Sequence, residues 1–161
     1  TYKVTRAIIH PEGTLRPDAP PEVDLALLQL ATPVTGITPF ALYRDRGELG
    51  QVLFIVGYGD FARAGTPWAR TDHRRRAVTN RVNDAGPRRL FMLFDAPEQA
   101  TELEGIGGPG DSGGPAVIER SGTRYVAGIS SGSMGKPGQY GATDVYTRVS
   151  SYVDWIEKTM R

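Results

Sequence analysis

Apolar residues come in short runs, at 4–9, 25–30, 52–56, 90–94, 116–118, 125–129 and 145–149, with Gly, Pro, Asn or Asp between them. Runs of strand length broken by turn residues predict an all-β sandwich or barrel. The polar intervals include a Pro-rich loop, TLRPDAPPE at 14–22, and a basic stretch at 63–76 that reads as a solvated loop. One helix is predicted, at the C-terminus. Ser151 and Asp154 have the spacing of a capping box. Tyr152, Val153, Ile156 and Met160, with Trp155 beside them, form an apolar face at helical spacing. Asp154 near the start and Lys158 and Arg161 near the end suit the helix dipole.

Composition narrows the picture. The chain has 161 residues, 39% hydrophobic and 23% charged, enough apolar material for one packed domain. Its formal net charge of +1 argues against nucleic acid as the main partner. No apolar run approaches the roughly 18 residues of a membrane helix, so no membrane partner is expected. With no cysteine, the chain has no disulfide, zinc–thiolate site or cysteine nucleophile.

Two segments carry candidate chemistry. GGPGDSGGP at 107–115 sets one Asp–Ser pair among glycines and prolines. Glycines permit positive φ and close approach to the backbone. A serine hydroxyl on such a turn, beside converging N–H groups, meets the needs of a nucleophile and an oxyanion hole. The plainer reading is a Gly-rich hairpin with an incidental serine. In VDLALLQL at 23–30, Asp24 opens an apolar strand. It is either solvated there or holds a partner, as the Asp of a hydrolytic triad holds a histidine in one tautomer. The triad template places its Asp about 90 residues before its Ser, and Asp24 and Ser112 stand at that separation.

Further segments follow in order: VGYG at 56–59, GISSG at 128–132, VYTRV at 145–149 and YVDWI at 152–156. With GDSGGP and DLALLQL, they make the chain resemble the chymotrypsin/trypsin family of serine endopeptidases over essentially its whole length, in a cysteine-free form of the kind found in bacteria. The resemblance implies an all-β, chymotrypsin-like double six-stranded Greek-key barrel with a C-terminal α-helix. It implies an incomplete first barrel here, with 1–60 as its remainder and the inter-barrel crossover, and 61–161 as the C-terminal barrel and terminal helix.

The resemblance also implies roles. Ser112 matches the nucleophile, Gly110 and Ser112 the oxyanion-hole N–H pair, and Asp24 the residue that orients the histidine. Asp111 matches the residue that pairs with a new N-terminal amine after activation. Pro109, Ser131, Gly132 and Ser133 match positions that contact substrate. Ile106 falls at the base of the specificity pocket, where trypsin-like members carry an acid. Asp144 falls on the same pocket's wall, so a basic or mixed preference is expected, with an apolar preference set by Ile106 as the alternative.

The family's histidine has no counterpart here. His10, in IIHPEG, and His73, in the arginine-rich loop, both read as non-catalytic. The expectation is that a separate N-terminal segment or chain supplies the imidazole. The partner is then a protein or peptide substrate, with no metal or organic cofactor, and the setting secreted or periplasmic. A catalytically inactive protease-like binding module is the rival reading.

Overall fold

The computed structural model describes residues 1–13 and 23–161, so the Pro-rich loop at 14–22 lies outside the described residues. The described chain divides into two compact units, Thr1–Pro39 with Asp154–Arg161, and Phe40–Val153.

The first unit holds β1 (Val4–Ile9) and β2 (Ala26–Leu30). They pair antiparallel from Val4 opposite Leu30 to Ile9 opposite Ala26, with a bulge near Arg6. The ladder runs on at both ends, where His10 N–H donates to Leu25 O and Ala31 N–H to Lys3 O. This ribbon keeps apolar side chains in water: Val4, Ile9 and Leu28 are 43%, 58% and 58% exposed. Val23 and Leu25, just before β2, are buried.

The second unit holds β3 (Ala41–Leu42), β4 (Val52–Gly57), β5 (Arg76–Ala85), β6 (Arg89–Leu93), β7 (Pro115–Arg120), β8 (Thr123–Met134) and β9 (Thr143–Arg148). The sheet runs β3-β8-β7-β4-β5-β6-β9, and β9 pairs back onto β8. That last pairing closes six strands, β4 to β9, into a barrel, with β3 added parallel to β8. Of the two barrels implied by the sequence, one is present and closed. Closure pairs each strand of the ring on both sides, although β8 from Gly132 to Met134 runs past β7 and is paired there only with β9. Bulges near Val82–Asp84, Ala116–Val117 and Ser130–Gly132 supply the local twist that a closed barrel needs. Inward residues form one apolar core that includes Leu53, Val82, Leu90, Met92, Ala127 and Tyr146.

The barrel contains a strand that the apolar runs do not reveal. In β5, RAVTNRVNDA, the buried residues include Thr79 and Asn80 beside Val82, and polar residues mask the alternation. Asn80 is fully buried and donates through Nδ2 to Gly105 O. With Gly105 N–H donating to Thr79 O, this bond fixes the start of the 105–114 segment against β5.

A buried ion pair locks the end of β9. Glu48 and Arg148 are 0% and 5% exposed. Arg148 Nε and Nη2 donate to the two Glu48 oxygens at 3.1 and 2.5 Å. Ser150 Oγ donates to Glu48 at 2.6 Å, while Arg148 also reaches Gly86 O and Arg46 O.

The C-terminal helix is shorter than its apolar pattern. A 3₁₀ turn occupies Val149–Ser151, and α1 spans Val153–Thr159. Ser151 ends that turn, and its hydroxyl donates to Pro87 O at 2.6 Å. The helix therefore starts later than a Ser151 cap implies. The basic stretch is also tied down: Phe61 and Ala69 form a bridge, and the Arg76 guanidinium lies 3.7 Å over the Phe61 ring.

Candidate active site

The site is built from a turn, 107–114, that enters β7, together with the ends of β4, β8 and β9. Ser112 is exposed at the turn's apex, as are Pro109, Gly110 and Gly113. Gly110 has φ +94° and Gly113 φ +80°, the left-handed region that side chains disfavour. Asp111 N–H donates to Gly108 O and Gly114 N–H to Asp111 O, which closes the turn internally. Gly113 N–H donates to Ser130 O, and Ser130 N–H to Gly114 O, each at 2.9 Å. The serine is thus fixed to β8 through the residues that follow it. Among the described residues, the Gly110 and Ser112 N–H groups are not used in any backbone hydrogen bond.

Asp111 points the other way, into the protein. Its carboxylate accepts from Gly59 N–H at 2.7 Å and Gly108 N–H at 2.9 Å. Two charge-assisted bonds of this kind hold a carboxylate without a cation. The cradle requires glycine. A Cβ on Gly57 would overlap the Asp111 carboxylate outright, and one on Gly59 would stand 2.7 Å from Asp111 Cγ. The VGYG segment stood out in the sequence with no role attached. Two glycines one residue apart at a strand's end were the available signal of a close approach. Gly57→Ala is therefore expected to expel the Asp111 carboxylate and cost about 1–3 kcal/mol, as overpacking does. Hydrogen exchange should show the Gly59 and Gly108 amides losing protection, and unchanged protection there would refute the cradle.

Beside Asp111 lies a cavity of about 650 Å³. Ile55, Val78, Phe94 and Ile106 give it apolar walls, and five acidic residues, Asp111 among them, line it together with Arg63 and Arg76. Ile106 is half-buried there.

Asp144 sits on β9 and is 4% exposed. Its Oδ2 accepts from Gly107 N–H at 2.7 Å and from the Tyr146 hydroxyl at 3.5 Å. A Cβ on Gly107 would come within 3.4 Å of that oxygen, so a bare backbone there allows the bond. Burial pushes the Asp144 carboxyl up to about 6, the two hydrogen bonds pull it down, and the Asp111 charge adds to the rise. Burial likewise raises the Tyr146 hydroxyl far above its ordinary value. Along β8, Ser131 is the extra residue of the Ser130–Gly132 bulge and is half-buried, while Gly132 and Ser133 are exposed.

The turn thus gathers Gly108, Gly110, Asp111, Ser112 and Ser130, and Asp144 joins it through Gly107. Asp24 belongs to the first unit, exposed between buried Val23 and Leu25. In that unit His10 stacks edge-on against Trp155, ring centres 4.8 Å apart, and its Nδ1 accepts from Glu12 N–H. His73, with φ +60°, donates its N–H to Thr71 Oγ1 in the basic loop.

A closed six-strand barrel presenting an exposed serine on a glycine turn is the architecture of a chymotrypsin-like protein. The model of the trypsin family matches residues 1–156. The chain is 32% identical to human serine protease 41 over 99% of its own length and 53% of that protein. It is 33% identical to trypsin-1 of Astacus astacus over 83% of the chain and 58% of the relative. Against the human hepatocyte growth factor activator serine protease it is 34% identical over 66% of the chain, but only 15% of that protein. The chain belongs to the trypsin family, and it spans about half the length, or less, of these relatives.

Proposed function

We propose that the chain is part of a serine endopeptidase that hydrolyses peptide bonds through an acyl-enzyme on Ser112. The observation that carries the reading is the exposed Ser112, on a turn whose Gly110 and Ser112 N–H groups are unclaimed by backbone acceptors. Asp24 orients an imidazole that comes from a segment outside these 161 residues. That imidazole takes the Ser112 proton as the hydroxyl oxygen attacks the substrate carbonyl. The Gly110 and Ser112 N–H groups bind the developing oxyanion, each such donor lowering the barrier by about 2.7–4 kcal/mol. The imidazole then protonates the leaving amine, and water releases the acyl group.

Substrate backbone lies along Ser131, Gly132 and Ser133 as an added strand. The side chain before the cleaved bond enters between Pro109, Ile106 and Asp144, with a basic or mixed preference. The cavity at Asp111, lined by five acidic residues against two arginines, has an excess of carboxylates that suits the ammonium end of a processed chain. The setting is secreted or periplasmic. Among the described residues, no helix is long and apolar enough to cross a membrane.

Fluorophosphonate labelling of the full-length protein tests the proposal. Covalent modification at Ser112 is expected. Absence of labelling, with the barrel folded, overturns it in favour of a catalytically inactive binding module.

A further inference from the structure

Residues 60–70 form a strap between two loops of the second unit. Its ends close on each other, since Phe61 N–H donates to Ala69 O at 3.0 Å and Ala69 N–H to Phe61 O at 2.8 Å. At its start Asp60 N–H donates to Pro109 O at 2.8 Å, and at its tip Gly65 N–H donates to Gly138 O at 2.8 Å. The strap therefore meets the serine turn at one point and the 135–141 loop at another. Between 61 and 70 only Phe61, Ala64 and Trp68 are half-buried, and the rest are exposed. The Trp68 ring fills the gap between the two loops. A Cβ on Gly108 would stand 3.0 Å from Trp68 Cζ3 and would overlap Asp60 O outright. A Cβ on Gly138 would stand 3.2 Å from Trp68 Cζ2. One side of the indole thus lies flush on the backbone of the serine turn and the other on Gly138, and bare backbone at both places lets it in.

Gly108 is the node through which this contact reaches the nucleophile. Its N–H donates to the Asp111 carboxylate at 2.9 Å, and its carbonyl accepts from Asp111 N–H at 3.0 Å. Displacing Gly108 displaces Asp111, and with it the Gly110 and Ser112 N–H groups on either side. We infer that Trp68 is a positioning residue of the serine turn: wedged between Gly108 and Gly138, it holds 108–109 against the strap and so keeps the oxyanion donors aimed. Its effect on the turn is a matter of packing alone, while its effect on rate rests on the endopeptidase reading of Ser112. Catalysis needs those donors within hydrogen-bond reach of the oxygen on which charge develops. A misplacement of about 1 Å costs on the order of 100-fold in rate. Trp68, Gly108 and Gly138 all line the cavity beside Asp111, so removing the ring enlarges that cavity and gives the turn room to shift.

The test compares Trp68→Ala with the unsubstituted full-length protein. Amide hydrogen exchange at Gly108 and Asp111 is expected to quicken by about tenfold or more, while Val82 and Tyr43, whose N–H groups bond to Gln51 O and Val126 O, keep their protection. For chromogenic peptides kcat should fall about 10- to 100-fold with KM within about threefold, the pattern of an interaction felt in the transition state. Unchanged exchange at Gly108 and Asp111 overturns the inference, as does a kcat within about twofold of the unsubstituted protein or a loss carried by KM alone. Exchange that quickens equally at Val82 and Tyr43 also overturns it, because Trp68 would then serve the stability of the whole barrel. Trp68→Leu, too short to span both glycines, should loosen the same two amides and is read in its place if the alanine variant does not fold. Fluorophosphonate labelling of the unsubstituted protein reports separately. A labelled protein whose Gly108 and Asp111 amides ignore the substitution sinks this inference alone. An unlabelled one whose amides loosen sinks the catalytic reading and leaves Trp68 as the residue that holds the turn.

Discussion

In the full-length protein, Ser112→Ala is expected to lower kcat/KM for peptide substrates by about four to six orders of magnitude, because removing the nucleophile of a triad leaves only the assistance of the oxyanion donors and substrate binding. The fold should hardly register the change. Ser112 is exposed, and the bonds that fix its turn run through the backbones of Gly113, Gly114 and Ser130. Unfolding free energy should move by no more than about 0.5 kcal/mol, as at other surface positions. Chromogenic peptide hydrolysis and denaturant melts on the same preparation read the two effects separately. Activity surviving above one part in a hundred would assign the nucleophile elsewhere. A large loss of stability would mean that the turn depends on the hydroxyl itself.

Glu48→Ala is expected to be the most damaging single change to the barrel, at about 3–5 kcal/mol, because it leaves Arg148 buried with its charge uncompensated. That corresponds to a fall in Tm on the order of 10 °C. Burial by itself would raise the Glu48 carboxyl, but the bonds from Arg148 and Ser150 outweigh it and hold the group below its ordinary value. Glu48 therefore stabilises the fold above the carboxyl's unfolded value, and that stabilisation is lost as pH falls through its depressed native one. Acid melts should show the unsubstituted protein converging on the variant at low pH. Pairing Glu48→Leu with Arg148→Met should restore only part of the loss, since the Gly86 and Arg46 carbonyls would lose their donor as well. A Glu48→Ala melt within 1 kcal/mol of the unsubstituted protein would show the pair to be dispensable.

Much of the barrel was legible because its strands are apolar runs between turn residues. Residues 52–56, 90–94, 116–118, 125–129 and 145–149 all fall in strands of the closed unit, apart from single residues at the ends of two runs. β5 was hidden because Arg76, Asn80, Arg81, Asn83 and Asp84 break its hydrophobic alternation, and its buried Asn80 serves a hydrogen bond instead of the core. The helix start was misplaced because Ser151 spends its hydroxyl on Pro87, a contact between residues 64 positions apart that no local motif encodes. The tight turn at 107–114 was legible because glycine alone readily adopts the positive φ found at 110 and 113. The Asp111 cradle was not, since it depends on a strand end, 57–59, meeting a turn some fifty residues later. The environment of Asp144 was half legible: its place on β9 followed from VYTRV, but its bond from the Gly107 N–H is a tertiary fact.

If the serine turn answers to a freed chain end, the Asp111 cradle bounds how far that control can reach. Backbone amides cannot be removed by proteolysis, titrated at physiological pH or competed away by salt as an ammonium partner can. A carboxylate already bonded by two of them begins with much of its hydrogen bonding met, so any incoming amine gains only the remainder. Control by a freed chain end would then act as a dimmer on this turn, with a measurable floor of order before processing.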